Sequence, residues 1–216
     1  MLKNTIGRSD DDDRRPRGPD GKPRIVYEEL LDSQPGVQSV GQKVYQGDLS
    51  GGSARTDRTR YLGASAALAM AEPVVADYRK VALVEPLARN LKLKKAKMED
   101  ALKAYAVAAN YGVADVTTAA TFHIASLYQD FGQSMIKSER PKRLSKAERE
   151  QYDVMLEEQA FPFEEKAIEL HETNVKRAAD GIYDEWVRNS FTALGKLRPA
   201  RYGKVERAEG VVDAIR

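Results

Sequence analysis

An all-α chain built from antiparallel helix pairs is the fold this sequence predicts, on three observations. From Gly51 and Gly52 onward the chain turns alanine-rich, and its apolar residues recur at three- and four-residue steps with almost no strand-like alternation. The connection around Gly112 is short, which makes the two helices it joins antiparallel neighbours. The first 53 residues, by contrast, are rich in Asp, Arg, Gly and Pro and read as a flexible polar arm. Its one apolar cluster, Ile25 to Leu31 between Pro23 and Pro35, allows at most one short helix. The organisation expected is an arm over 1–53, a helical domain over 54–202 of about six or seven helices, and a C-terminal tail over 203–216.

The first helical stretch, about Ala54 to Asn90, contains Pro73 and Pro86, and interior prolines predict kinks or breaks and hence two pieces. Next, Met98, Ala101, Leu102, Tyr105, Ala108 and Ala109 form one stripe ended by the C-capping Gly112. Asp115 offers an N-cap for a helix with the stripe Ala120, Ile124, Leu127, Tyr128, Phe131 and Met135. A polar loop, Ser138 to Leu144, leads to Ser145, which with Glu148 makes a serine-x-x-glutamate capping box. The stripe that follows, Tyr152, Leu156, Gln159, Ala160, Phe163, Ala167 and Leu170, keeps one register across Pro162 and predicts a single kinked helix. Its back face, with Glu157, Glu158, Glu165 and Glu169, is read as solvated. A last helix after Asp180 and Gly181 carries Tyr183, Trp186, Val187, Phe191 and Leu194 on one side and stops before Pro199.

Composition narrows function. Lys plus Arg number 35 against 33 acidic residues, a net charge of +2, which gives no general attraction to nucleic acid or anionic lipid. No stretch approaches the roughly 18 uninterrupted apolar residues of a membrane span. The absence of cysteine removes disulfides, thiolate metal sites and cysteine nucleophiles. The Asp10 to Asp13 run lacks the spaced carboxylates and turn glycine of a calcium loop and reads as solvated charge. His123 and His171 lie on different helices without ligand spacing and read as partly buried helix residues. Adjacent glutamates such as Glu164 and Glu165 point in different directions on a helix and make no acid–base pair. No phosphate loop, nucleophile elbow or HExxH motif is present, so neither catalysis nor a cofactor is expected. The run Lys92 to Lys97, with Arg79, Lys80 and Arg89, is the compact basic patch of the reading, more often a solvated face than a contact. Tyr183, Trp186, Phe191 and Tyr202, with Arg188, Arg198 and Arg201, are interface-type residues, read first as core or capping groups of a terminal unit.

Ala101, Tyr105 and Ala108 have the small, aromatic, small spacing of closely stacked hairpins. They resemble the second helix of a tetratricopeptide repeat (TPR), and Ile124, Ala125 and Tyr128 look like the first helix of the next. Glu164 to Asn174, EEKAIELHETN, resembles a second helix with Ala167 as its small contact. The strings TTAATFHIASLYQDFGQSMIKSERP, LEEQAFPFEEKAIELHETN and GIYDEWVRNSF together resemble the C-terminal part of large bacterial TPR proteins of TonB-type or gliding-motility envelope systems, over roughly Val84 to Tyr202. The consensus tryptophan and proline are displaced, and the insertion around Ser138 to Ser145 breaks the period of about thirty-four residues.

The resemblance implies a degenerate TPR-like α-solenoid and a non-catalytic protein-binding scaffold in a bacterial envelope assembly. It also implies a short relative or C-terminal piece of something longer. The N-terminal MLKNTIGRSDDDD has no apolar export segment, which leaves the compartment open between envelope and cytoplasm. By family analogy Asn110, Thr117, Thr121 and Gln129 are groove contacts. The alternative expectation is a structural helical bundle whose apolar faces are satisfied by self-association.

Overall fold

The structure, a computed structural model, describes residues 35–203. The Ile25 to Leu31 cluster, the Asp10 to Asp13 run and residues 204–216 lie outside the described residues. Seven α-helices follow in order: α1 Pro35–Ser50, α2 Asp57–Arg79, α3 Leu87–Ala109, α4 Ala114–Ile136, α5 Lys146–Lys176, α6 Glu185–Leu197 and the short α7 Pro199–Tyr202. Short 3-10 turns over Gly52–Ala54 and Arg177–Asp180 precede α2 and follow α5. No strand occurs among the described residues. The packing described here is that of the compact unit starting at Gly41.

Small residues set how closely these helices approach. On α2 the face Ala64, Ala67, Ala71, Val75 and Tyr78 is buried, and on α3 the face Met98, Ala101, Tyr105 and Ala108 meets it. Alanine loses little side-chain entropy on burial and lets the aromatic residue of each face fill the space between. Packing then runs along the chain, α2 on α3, α3 on α4, α4 on α5, α5 on α6 and α6 on α7, with two next-but-one pairs, α2 with α4 and α4 with α6. α4 buries ten residues, more than any other helix, so it is the spine against which the rest is stacked.

Several boundaries differ from the sequence reading. α2 runs unbroken through Pro73. Ala71 and Val75 on either side of it are buried on one face, and that packing offsets the lost backbone hydrogen bond. The interruption is the connection 80–86, so Lys92 to Lys97 belongs to the same helix as Tyr105. Lys94 is the reason this basic run is not simply a solvated face. It is buried, its Nζ donates to the Val81 carbonyl at 3.1 Å, and it lies 4.2 Å from the centre of the Tyr78 ring. Burial pushes its pKa down.

Asp115 is not the N-cap of α4: Val113 holds that position without a side-chain bond, and Asp115 sits in the first turn, where its charge suits the helix dipole. Gly112 does end the α3 turn, at φ +68°, a backbone region that glycine enters without steric cost. The Ser145–Glu148 capping box forms, and α5 passes through Pro162 as one helix of 31 residues. Within its stripe Gln159 is exposed and Ala160 takes the inward position. Glu165 is partly solvated, as expected of the back face, and is also paired. It accepts from Arg198 Nη2 at 3.2 Å, which ties α5 to the chain between α6 and α7.

The arm boundary also moves. Tyr45 packs on Tyr111 with ring centroids 6.2 Å apart, and buried Asp48 accepts from Arg55 Nη2 at 2.7 Å. That hydrogen bond holds the Asp48 carboxyl below its ordinary pKa. Polar residues around Tyr45 conceal this docking from a hydrophobic pattern. A Cβ at Gly63 would lie 2.9 Å from both Asp48 Cβ and the Tyr111 hydroxyl oxygen. Gly63→Ala is therefore expected to lower unfolding stability in urea by about 1–3 kcal/mol, although alanine ordinarily gains about 1 kcal/mol over glycine inside a helix. A raised midpoint for this variant means that α1 does not seat on α2 as described.

Candidate functional site

Because α2 and α4 are next-but-one neighbours, an open channel is left between them, and α3 supplies its floor. The resulting cleft has a volume of about 390 Å³. Tyr105 forms the base with Val75 and Leu127, while Arg79, Gln129, Gln133 and Lys137 stand on the walls. Each carboxylate here is already bound to the floor. Tyr105 donates its hydroxyl to Glu72 Oε1 at 3.1 Å, and Tyr78 donates to Asp130 Oδ2 at 2.7 Å. Burial, reinforced by those carboxylates, pushes both phenols well above their ordinary pKa, so they remain protonated donors. Arg79 and Lys137 have no ion-pair partner among the described residues and face solvent.

One wall of the cleft is stiffened by an aromatic cluster. His123 stacks on Tyr105 at 5.1 Å with the rings 8° from parallel, and lies 4.8 Å from the Trp186 ring. Phe122 contacts His123, His171 and Trp186 at centroid distances of 5.8, 5.4 and 5.4 Å. The cluster joins α3, α4, α5 and α6. Burial lowers the pKa of His123 and brings that of His171 to about 4, so both imidazoles are neutral near neutral pH.

Beneath the cluster a polar network links α4, α5 and α6. Asn174 Nδ2 donates to the Thr118 carbonyl at 2.9 Å and to Ser190 Oγ at 3.1 Å. Thr118 bonds to Asp184, whose other oxygen accepts from Val187 N–H at 2.9 Å and caps α6.

Searches against protein-family models, curated proteins and solved structures return no match for this chain. Of the four groove residues expected by analogy, Gln129 lines the cleft. Asn110 is exposed at the end of α3, where its backbone N–H caps the helix. Thr117 donates to the Ala109 carbonyl at 3.2 Å. Thr121 is buried, donating to the Thr117 carbonyl at 2.7 Å and accepting from Arg177 Nη1 at 3.2 Å. Both threonines join helices: Thr117 ties α4 to the end of α3, and Thr121 meets Arg177 just after α5.

The packing residues fall in the interior. Ala101, Tyr105, Ala108, Ala125 and Ala167 are buried, and Ile124, Tyr128 and Trp186 are half-buried. Of the terminal aromatics, Trp186 packs inside and Tyr183 is exposed beside Phe191.

Sequence reasoning missed Arg79 and Gln133 as partners of Gln129, and it missed the cations between Lys137 and Arg149. The i, i+4 spacing of Gln129 and Gln133 was available as a signal; that Arg79 lines the same cleft from another helix was not. Among the described residues no group of three or more His, Asp and Glu is arranged to hold a metal, and no helix is long and apolar enough to cross a membrane. What the cleft offers is hydrogen bonding, two cations and a rigid aromatic base.

Proposed function

We propose that this chain is a non-catalytic protein-binding scaffold of TPR type, and that the cleft between α2 and α4 takes an extended segment of its partner. The observation that carries the reading is the cleft itself: an open channel with a rigid floor and free amide and cationic groups on its walls suits main-chain and side-chain hydrogen bonding to a peptide. Helices that contact mainly their sequence neighbours, with α2, α4 and α6 forming one layer, support a stacked solenoid arrangement of degenerate repeats. The resemblance to bacterial TPR proteins of TonB-type and gliding-motility systems supports an envelope assembly as the setting.

The test is capture of the partner from envelope and cytosolic fractions by the full chain and by a Gln129→Ala, Gln133→Ala variant with unchanged circular dichroism. A stoichiometric partner whose recovery falls at least about fivefold with the variant is the expected result. Equal recovery by both proteins removes the cleft from the binding surface.

A second reading, self-association, draws on the exposed Val44, Leu49, Tyr61 and Leu62 of α1 and α2 at the first end of the stack. A sedimentation coefficient that rises with protein concentration and returns to the monomer value with Leu62→Lys favours it.

A further inference from the structure

Between Lys137 and Arg149 the sequence places six cations, Lys137, Arg140, Lys142, Arg143, Lys146 and Arg149, against two carboxylates, Glu139 and Glu148. Both carboxylates are spent internally. Glu139 Oε2 accepts from the Glu85 N–H at 2.9 Å, and Glu148 Oε2 accepts from the Ser145 N–H at 2.8 Å as half of the capping box. Arg140 is spent as well: it donates to Asp153 Oδ1 at 2.5 Å, to the Ile136 carbonyl at 2.7 Å and to the Ser138 carbonyl at 2.5 Å. It acts as the internal staple of the connection and neutralises Asp153.

Of the other five, Lys137, Lys142 and Arg149 line a cavity of about 480 Å³, together with Ile136, Pro141, Leu144 and the Arg140–Asp153 pair. None of the three side chains has an ion-pair partner among the described residues. Like charges held around one cavity repel, and an external anion relieves that repulsion.

We propose that this surface docks an acidic segment of a protein partner, a proposal that deepens the scaffold reading and rests on it. Lys137 also lines the α2–α4 cleft, so one extended segment can occupy the cleft and place its carboxylates against the α4–α5 connection. The apolar residues on the cavity wall suit a polypeptide whose acidic side chains alternate with apolar ones. No aromatic ring lines the cavity, so the stacking platform that single-stranded nucleic acid uses is missing there. Long, flexible cationic stems spaced around an open cavity suit charges distributed along a chain better than one compact phosphate.

The probe is a fluorescein-labelled peptide of alternating Glu and Leu-containing steps, with a Glu→Gln version as control, titrated with the full chain by fluorescence anisotropy. Wild type is expected to bind the acidic peptide with an affinity that falls as salt rises from about 50 to about 200 mM, and to bind the Gln peptide at least about tenfold more weakly. Lys142→Glu with Arg149→Glu is expected to lose at least about tenfold in affinity, while Lys92→Glu with Lys95→Glu on α3 binds as wild type does. Absent binding, equal binding by the Lys142→Glu, Arg149→Glu protein, or equal loss in the α3 variant overturns the proposal. Tighter binding of an oligothymidylate of matched charge overturns it in favour of nucleic acid. If the acidic probe fails while partner capture still depends on Gln129 and Gln133, the scaffold reading stands and only the acidic class falls; if both fail, both fall.

Discussion

Tyr105→Ala is expected to lower the unfolding free energy by about 3–5 kcal/mol, the range for deleting a buried aromatic ring. Tyr105 is almost fully buried at the point where α2, α3 and α4 meet. Three losses combine in the variant. The ring leaves a cavity between Ala-rich faces that are too close-packed to collapse into it. His123 loses the ring on which it stacks. Glu72 loses the hydroxyl donor at 3.1 Å. Tyr105→Phe separates these contributions, because it keeps the ring and removes only the hydrogen bond, at an expected cost of about 1 kcal/mol. Urea unfolding of the two variants measures both. A Phe variant as damaged as the Ala variant would shift the weight from packing to the Glu72 bond, and an Ala variant within about 1 kcal/mol of wild type would mean that Tyr105 does not anchor the stack. The same substitution removes the floor of the cleft, so binding falls with stability, whereas Gln129→Ala and Gln133→Ala separate the two effects.

The helices were legible in the sequence because their signals are local. Ser145 and Glu148 are three residues apart, Gly112 sits directly after its helix, and the Ala101, Tyr105, Ala108 stripe repeats within two turns; each encodes its outcome without reference to distant residues. Pro73 misled for the complementary reason: whether a proline breaks a helix depends on what the face around it buries, and the partner face of Ala71 and Val75 lies on α3. Lys94 is the same case, since its burial is fixed by a carbonyl in the preceding connection and a ring on α2.

The cleft was only fractionally legible. Gln129, expected by analogy, lines the cleft, but Arg79 and Lys137 are 58 positions apart and line the same channel only through the next-but-one packing of α2 and α4. Thr117 and Thr121 read as groove contacts because they are polar residues on an inner helix; the hydrogen bonds to the Ala109 and Thr117 carbonyls that engage them are set by the fold and leave no mark in the sequence.

Acid is expected to loosen this fold well above the ordinary carboxylate range, and His171 is the cause. Its ring is buried between Phe122, at 5.4 Å, and α6, where Ser190 Oγ lies 3.3 Å from Nδ1. Nε2 is buried with no hydrogen-bond partner. The Ser190 hydroxyl already accepts from Asn174, which leaves its own proton to donate to Nδ1 of a neutral ring. Protonation puts a donor on both nitrogens and a charge in an apolar site, and burial accordingly brings the folded pKa to about 4 from an ordinary 6.5. The sign follows. In the unfolded chain His171 takes up a proton as pH falls through 6.5, whereas the folded protein does not until about 4. The unfolded state therefore binds more protons between those values, and stability present above pH 6.5 declines until pH reaches about 4, then levels off for this group. Integrated over the shift, the loss is about 3 kcal/mol. Asp48, whose pKa Arg55 lowers, is lost only at more acidic pH and does not share the window. Urea unfolding at several pH values between about 7.5 and 4.5 measures the decline, and His171→Leu is expected to remove most of its slope. His123, also held down by burial, contributes in the same direction. A variant that keeps the wild-type slope assigns the acid sensitivity to groups other than His171.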